Sequence, residues 1–129
     1  MQILQPPTWA RPRGYSNGIA ASGRLVFISG QIGWDEQCQF QTSDFVGQAR
    51  QALQNVLAVL AESGGGPEHI ARLTWYIVDT QEYLSGSKEL GTVYQELMGK
   101  HYPAMTVVQV SALMETAAKV EIEATAVIQ

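Results

Sequence analysis

Apolar positions recur along the chain with two different periods, and these periods predict its helices and strands. From Ser43 through Leu60 the apolar residues return at helical spacing, the stripe of an amphipathic helix. Ser43 or Asp44 can cap its start, and the Gly-Gly-Gly-Pro run at 64–67 predicts its end. A second helical stripe predicts a helix over 87–98, followed by a glycine stop.

Short runs of β-branched and aromatic residues predict the strands. The runs over 19–22 and 25–29 flank Gly23 and are typical of a β-hairpin. Further strands are predicted over 70–78, 105–110 and 119–127. In the last of these, apolar and polar residues alternate strictly, which puts Glu121 and Glu123 on one polar face together with Lys119. The predicted order of elements is β-β-α-β-α-β-β.

This order predicts one two-layer α+β domain over residues 1–129, a mixed sheet with two helices on one face. A chain of 129 residues can build one hydrophobic core but not two ordinary domains. The helix-free face is not polar throughout, because Val107 and Val108 fall on opposite sides of one strand, as do Trp75 and Tyr76. We expect a homo-oligomer to cover these apolar groups.

Composition and charge exclude several classes of partner. The net charge is −4, and the eight basic residues are scattered, which argues against nucleic acid as a partner. No apolar run approaches the ~20 residues that cross a bilayer, and the start of the chain lacks the apolar centre of a signal peptide. We therefore expect a cytoplasmic protein without membrane contact. Cys38 is the lone cysteine, and His69 and His101 fit no known metal pattern, so no metal site is predicted.

The stretch "GYSNG" has the outline G-x-S-x-G, in which α/β-hydrolases hold a nucleophilic serine. That arrangement needs a strand before the serine and a helix after it. Here a segment rich in Pro and Arg precedes Ser16 and a predicted strand follows. We therefore interpret Gly14 and Gly18 as allowing irregular backbone, rather than Ser16 as a nucleophile.

Glu121 and Glu123 allow two interpretations from the residues alone. Carboxylates two apart on a strand are commonly part of a solvated face. Alternatively, one of them lies at a subunit junction, where partial burial raises the pKa of a carboxyl and equips it to transfer protons.

Six segments, in order along nearly the whole chain, resemble the RidA/YjgF family of small enamine/imine deaminases. They read "GYSNG", "VFISGQIG", "QARQALQNVLAVLAESGG", "YIVD", "YPAM" and "VEIEATAV". The resemblance implies a chorismate-mutase-like α+β fold and a homotrimer with a cleft between neighbouring subunits. It also implies hydrolysis of a reactive imine or enamine of a 2-amino acid to the 2-keto acid and ammonia, with no metal or organic cofactor.

The resemblance also implies roles for individual residues. Glu121 would orient the attacking water together with a backbone carbonyl, whereas Glu123 would be structural. The residues that would line the cleft around the substrate are Tyr15, Ser29, Gly30, Trp34 and Ala104.

The chain departs from the family at the residue that binds the substrate carboxylate. The family pattern Pro-Ala-Arg followed by Ser or Thr here has Met105 in place of the arginine. A thioether offers no donor fork for a carboxylate, and charge-assisted hydrogen bonds contribute about 1.5–3 kcal/mol each. The predicted elements do not place Arg24 or Arg72 to substitute. We expect a more apolar substrate-binding cleft around Met105 that favours neutral or cationic small molecules.

The expected function is therefore a RidA/YjgF-type hydrolase or deaminase with altered substrate specificity. One alternative is a trimeric protein that binds a small ligand without catalysis. Another is the endoribonuclease or translation inhibitor of the older family label, which the acidic composition opposes.

Overall fold

Two sheets and three α-helices organise the chain, and the computed structural model describes all of residues 1–129. Four strands form the main sheet in the order β3-β6-β4-β5, with β4 and β5 parallel and the other pairs antiparallel. The predicted α+β class with a mixed sheet is confirmed. In chain order the elements are β1 (Gln2–Leu4), β2 (Gly18–Ala20), β3 (Arg24–Ile32), α1 (Phe45–Ala61), β4 (Ile70–Ile77), α2 (Thr80–Ser85), α3 (Ser87–Met98), β5 (Ala104–Gln109) and β6 (Val120–Ile128).

The predicted hairpin around Gly23 is wrong. β2 pairs antiparallel with β1 in a separate two-stranded sheet, and β3 pairs with β6 instead. β2 has three residues, whereas β6 has nine and can pair with β3 along most of its length, which forms more backbone hydrogen bonds. Gly23 has a φ of 147° and lies against the backbone of Ile128 at the end of β6, where a side chain would not fit.

The two long helices lie where the apolar stripes predict them. Asp44 caps α1 by accepting a hydrogen bond from the Gly47 amide at 2.9 Å. At the other end Gly64 has a φ of 85°, and the Gly65 amide donates to the carbonyl of Leu60, as predicted for a glycine stop. None of the three helices combines the length and the apolar character that crossing a bilayer requires.

Helix α2 is an addition to the predicted order, which has no element between the strand over 70–78 and the helix over 87–98. Asp79 caps it by accepting from the Gln81 amide at 2.8 Å. The ammonium group of Lys119 lies 2.6 Å from Oε2 of Glu82 on this helix. Lys119 comes directly before β6, and its ion pair links the start of this strand to α2. The prediction that Lys119 shares a strand face with Glu121 is therefore wrong.

The helices cover one face of the main sheet and leave the other face, here called the open face, uncovered. On the open face Leu25 is 56% exposed and Phe27 is 74% exposed. Val108 is also exposed, while its neighbour Val107 packs against the core, so apolar residues do lie on both faces. The buried residues that β4 and β6 direct to the helices are Ile70, Leu73, Trp75, Ile77, Val120, Ile122, Ala124 and Ala126.

Candidate active site

Glu121 lies on the open face against the backbone of Gly30. The register of β3 with β6 shifts between Ile28 and Gln31, which leaves Ser29 and Gly30 in a β-bulge. A side-chain carbon added at Gly30 would lie 2.7 Å from Cδ of Glu121, closer than two such carbons can approach. The missing side chain at position 30 therefore makes room for the carboxylate.

The bulge is held by a side chain that the sequence analysis missed. Nε2 of Gln31 donates to the Ser29 carbonyl at 3.1 Å and lies 3.3 Å from the Ser29 hydroxyl. Bulges are over-represented beside active sites because they redirect side chains and interrupt strand pairing. We call Ser29, Gly30 and Glu121 the Glu121 group.

Glu123 has a different environment from Glu121. The Tyr76 hydroxyl donates to Oε1 of Glu123 at 2.7 Å, and this hydrogen bond, with a smaller contribution from burial, raises the pKa of Tyr76. Ser29, Glu123 and Arg72 line a cavity of about 450 Å³ on the open face. Glu123 is thus already engaged by a neighbouring strand, consistent with a structural role.

The segment that carries Tyr15 is fixed to the start of β5. Ser16 is buried, its amide donates to the Pro103 carbonyl at 3.0 Å, and its hydroxyl donates to the Tyr102 carbonyl. These contacts place Ser16 beside Ala104 in a parallel bridge. The hydroxyl that the G-x-S-x-G outline singles out is thus engaged by a backbone carbonyl, and Tyr15 is the residue presented at the surface, 40% exposed.

Tyr15 and Met105 line the same cavity of about 610 Å³, which lies between α3, β5 and residues 13–15. Met105 shares its register position with Leu73, so its side chain faces the helices and packs against the core. We call Tyr15, Met105 and the backbone of Ala104, which bridges Ser16, the Met105 group; the Ala104 side chain is opposite Arg72 and faces away from this cavity.

Two cations line the cavity beside Met105, and no carboxylate does. They are Arg13 and Lys88, both exposed. Sequence reasoning missed them, because Arg13 lies in an irregular segment and Lys88 on the polar side of a helix. Arg24 and Arg72 lie elsewhere: Arg24 donates to the Ser63 carbonyl at 2.8 Å, and Arg72 is on the open face.

The buried Tyr94 and the half-buried Tyr83 and Tyr102 line this cavity. Tyr94 stacks on Tyr102 with their ring centroids 5.8 Å apart. The Tyr94 hydroxyl donates to the His101 carbonyl at 3.0 Å. Burial, with a smaller contribution from Tyr102, raises the pKa of Tyr94 above its ordinary range, and burial also raises the pKa of Tyr83. These phenols therefore stay neutral at ordinary pH.

One chain does not bring the Glu121 group and the Met105 group together. Leu73 is opposite both Met105 and Ala124, so those three residues share the helix-covered face. Glu121 is three residues from Ala124 along β6 and therefore faces the other side of the sheet. Six of the seven predicted site residues thus fall into two groups on opposite sides of the sheet, and one belongs to neither group.

The exception is Trp34, which lines neither cavity. It lies in the loop after β3, where its ring packs on the ring of Phe40 with the two centroids 5.8 Å apart. Its carbonyl accepts a hydrogen bond from Nδ2 of Asn55 at 2.8 Å, which ties the loop to α1.

The side chains of both histidines contact backbone groups. Nδ1 of His69 accepts from the Gly66 amide at 2.9 Å, and Nε2 of His101 lies 2.6 Å from the Ile70 carbonyl. Cys38 is an exposed loop residue. The structure brings no three side chains of His, Cys, Asp or Glu together as a metal-binding group.

Comparison with known proteins decides the family. The family described as Endoribonuclease L-PSP matches residues 8–128, nearly the whole chain. The chain belongs to the RidA/YjgF family. It is 35% identical over 130 residues to a RutC family protein of Aquifex aeolicus, covering 98% of this chain and 99% of that protein.

Two further RidA/YjgF relatives connect the chain to solved structures. TdcF of Escherichia coli, whose name assigns it provisionally to the reactive intermediate deaminases, is 34% identical over 108 residues, covering 81% of this chain and 80% of TdcF. The crystal structure of E. coli TdcF with bound serine covers the full length of both chains with a TM-score of 0.73 and 29% identity. YyfB from Yersinia pestis, a Rid family protein of unknown function, gives a TM-score of 0.84 at 28% identity over 98% of both chains.

Proposed function

We propose that the protein is a small-molecule hydrolase of the RidA/YjgF type. It hydrolyses a reactive imine or enamine and releases ammonia, and Met105 gives it a substrate specificity different from that of relatives with arginine at this position. The observation that carries the proposal is the position of the Glu121 carboxylate, which lies at the bulge beside Ser29 and Gly30. This is the position to which the family resemblance assigns the acid that orients water.

The chemistry needs one carboxylate and no other reactive group from the protein. As the oxygen of water bonds to the imine carbon, Glu121 accepts a proton from that water and returns a proton to the nitrogen. The carbinolamine then collapses, the carbon–nitrogen bond breaks, and ammonia leaves as the carbonyl forms. Enamines enter the same path after protonation at carbon.

We propose a homotrimer in which the Met105 group of one protomer faces the Glu121 group of the next. Two observations support it. The two groups lie on opposite faces of one sheet, so only a second copy can join them. The open face also carries exposed Leu25 and Phe27, which an interface between copies would bury.

The test is ammonia release from a panel of imines generated in place, with 2-iminoacids made by an amino acid oxidase and neutral imines made by an amine oxidase. We expect turnover with some members of the panel, and Glu121→Gln should abolish it. Glu123→Gln is the matched control, because it changes a carboxylate on the same face of the same strand and should retain turnover. No release above buffer with any imine would refute the proposal.

Exchange at position 105 tests the specificity separately. Met105→Arg restores the donor fork of the family and should confer hydrolysis of 2-aminoacrylate-type imines. If the variant folds and does not hydrolyse them, the difference from the family extends beyond the arginine.

A trimeric ligand-binding protein without catalysis is the second candidate, because the 610 Å³ cavity exists independently of Glu121. A non-substrate ligand at 100 times its dissociation constant stabilises a protein by ~2.7 kcal/mol. A ligand that raises the melting temperature and is recovered unchanged, with no imine hydrolysed, would favour this candidate.

A further inference from the structure

We propose that the cavity beside Met105 binds a small anion with an apolar or aromatic body, and that Arg13 and Lys88 hold its negative group. The inference rests on the proposed function, because it names the substrate class of the same cleft. It also replaces the expectation, drawn from Met105 alone, that the cleft favours neutral or cationic molecules.

The charge of the cavity lining supports an anionic ligand. Arg13 and Lys88 are its charged residues, and no Asp or Glu of the same protomer lines it, so in the proposed trimer two cations meet the single carboxylate of a neighbouring Glu121. Neither cation takes part in an ion pair of the structure, whose three ion pairs involve Arg50, His69 and Lys119. The smaller cavity on the open face differs, since its Arg72 is accompanied by Glu123.

Trp75 supplies an independent observation. It lines the cavity and is 2% exposed, and its indole Nε1–H is buried without a hydrogen-bond partner in the chain. Buried donors in native proteins are almost always paired, so an unpaired one requires an explanation. A carboxylate or carbonyl oxygen that reached this nitrogen from the cavity would provide the missing acceptor.

Size and lining indicate the rest of the ligand. The cavity of about 610 Å³ is of the size that holds drug-sized molecules and exceeds what a three-carbon iminoacid needs. Five aromatic rings line it, those of Tyr15, Trp75, Tyr83, Tyr94 and Tyr102. A ring or branched chain can pack on these surfaces while the cations at the rim hold the anionic group.

The test compares three probes that share one ring and differ in charge: phenylacetate, phenylacetamide and phenethylammonium. Calorimetric titration of the full chain at low salt should show phenylacetate binding at least about tenfold more tightly than the other two. Arg13→Gln combined with Lys88→Gln should remove that preference. The indole N–H resonance of Trp75, assigned by Trp75→Phe, should shift with phenylacetate.

The matched control combines Arg11→Gln with Lys100→Gln, two exposed cations that line a neighbouring cavity and not this one. It removes the same charge and should keep the preference. The inference is overturned if phenylacetamide binds as tightly as phenylacetate or more tightly, or if phenylacetate does not bind at millimolar concentration. It is also overturned if the preference for phenylacetate survives in the Arg13/Lys88 variant, or if the control variant loses the preference to the same extent.

The outcome is separable from that of the proposed hydrolysis. Glu121→Gln should abolish ammonia release and retain the preference for phenylacetate over phenylacetamide, because Arg13 and Lys88 remain. A preference for phenylacetate without ammonia release from any imine supports the anion site and refutes the hydrolase. Ammonia release from neutral imines, with no preference for phenylacetate over the other probes, supports the hydrolase and refutes the anion site.

Discussion

The Glu121 carboxylate lies over the backbone of Gly30, where β3 shifts register against β6. The contact joins a charged side chain on one strand to a residue without a side chain on the next. Gly30 is not at a positive φ, so alanine is compatible with its backbone, and the three atoms nearest to an added side-chain carbon all belong to the Glu121 side chain. The glycine is therefore needed for the position of Glu121 rather than for the turn.

Gly30→Ala should displace the Glu121 side chain and reduce ammonia release. Overpacking of this kind destabilises by about 1–3 kcal/mol. The cost should largely disappear in the background Glu121→Ala, because the atoms that clash are then gone. Urea denaturation of the four proteins of this double-mutant cycle measures the coupling.

Gly91→Ala is the control for the stability measurement. Gly91 lies within α3, and nothing is within 4 Å of an added carbon. Alanine in place of a helical glycine should stabilise by about 0.5–1 kcal/mol. A Gly30→Ala penalty that persists without the Glu121 carboxylate would contradict the proposed contact.

Gln48 should be among the most sensitive polar positions for stability. It is fully buried in α1, and its amide donates to the carbonyls of Thr42 and Ala117 and accepts from the Lys119 amide at 2.7 Å. Gln48→Leu leaves these backbone groups unpaired and should lower the free energy of unfolding by about 3 kcal/mol. Gln54→Leu, on the exposed side of the same helix, should change it by less than about 0.5 kcal/mol in the same urea titration. Equal effects of the two variants would contradict the assigned role.

Periodicity predicted the elements that have a single-faced apolar pattern. Helices α1 and α3 and strand β6 are of this kind, because their apolar spacing repeats long enough to fix the element and its buried face. The pairing of short strands was not predictable in this way. The run at 19–22 is compatible with either neighbour, and the length of β6 decides the outcome.

The candidate site likewise has a part that the sequence predicts and a part that it does not. The family motifs identified Glu121, Gly30, Tyr15 and Met105, and the structure separates them into two groups that the motifs do not reveal. The cations beside Met105 come from an irregular segment and a helix surface, where no periodic or motif pattern marks a residue. Their convergence depends on how Ser16 ties the N-terminal segment to β5.

Phe27→Lys should dissociate the oligomer if the open face is an interface between copies. Phe27 is 74% exposed in the single chain, and lysine there places an unpaired charge in the proposed interface. We expect a trimer for the unmodified protein and a smaller species for the variant in sedimentation equilibrium. Val59→Lys, which adds the same charge on the exposed side of α1, should leave the trimer intact. A monomer for the unmodified protein would exclude the shared cleft.

The buried tyrosines should make the protein sensitive to alkaline pH. Burial raises the folded-state pKa of Tyr94 above its ordinary value of 10.0, so the neutral phenol is favoured in the folded protein. Its contribution to stability is then complete below pH 10 and is lost as pH rises toward the folded-state pKa, because the unfolded chain loses this proton first. The free energy of unfolding should fall above pH 10 by at least about 1 kcal/mol more than in Tyr94→Phe, since one pKa unit corresponds to about 1.4 kcal/mol. Urea midpoints measured below and above pH 10 provide the test. Tyr15→Phe changes an exposed tyrosine and is the control, which should lose as much stability above pH 10 as the unmodified protein. A Tyr94→Phe variant that loses as much stability above pH 10 as the unmodified protein would show that this phenol does not control the transition.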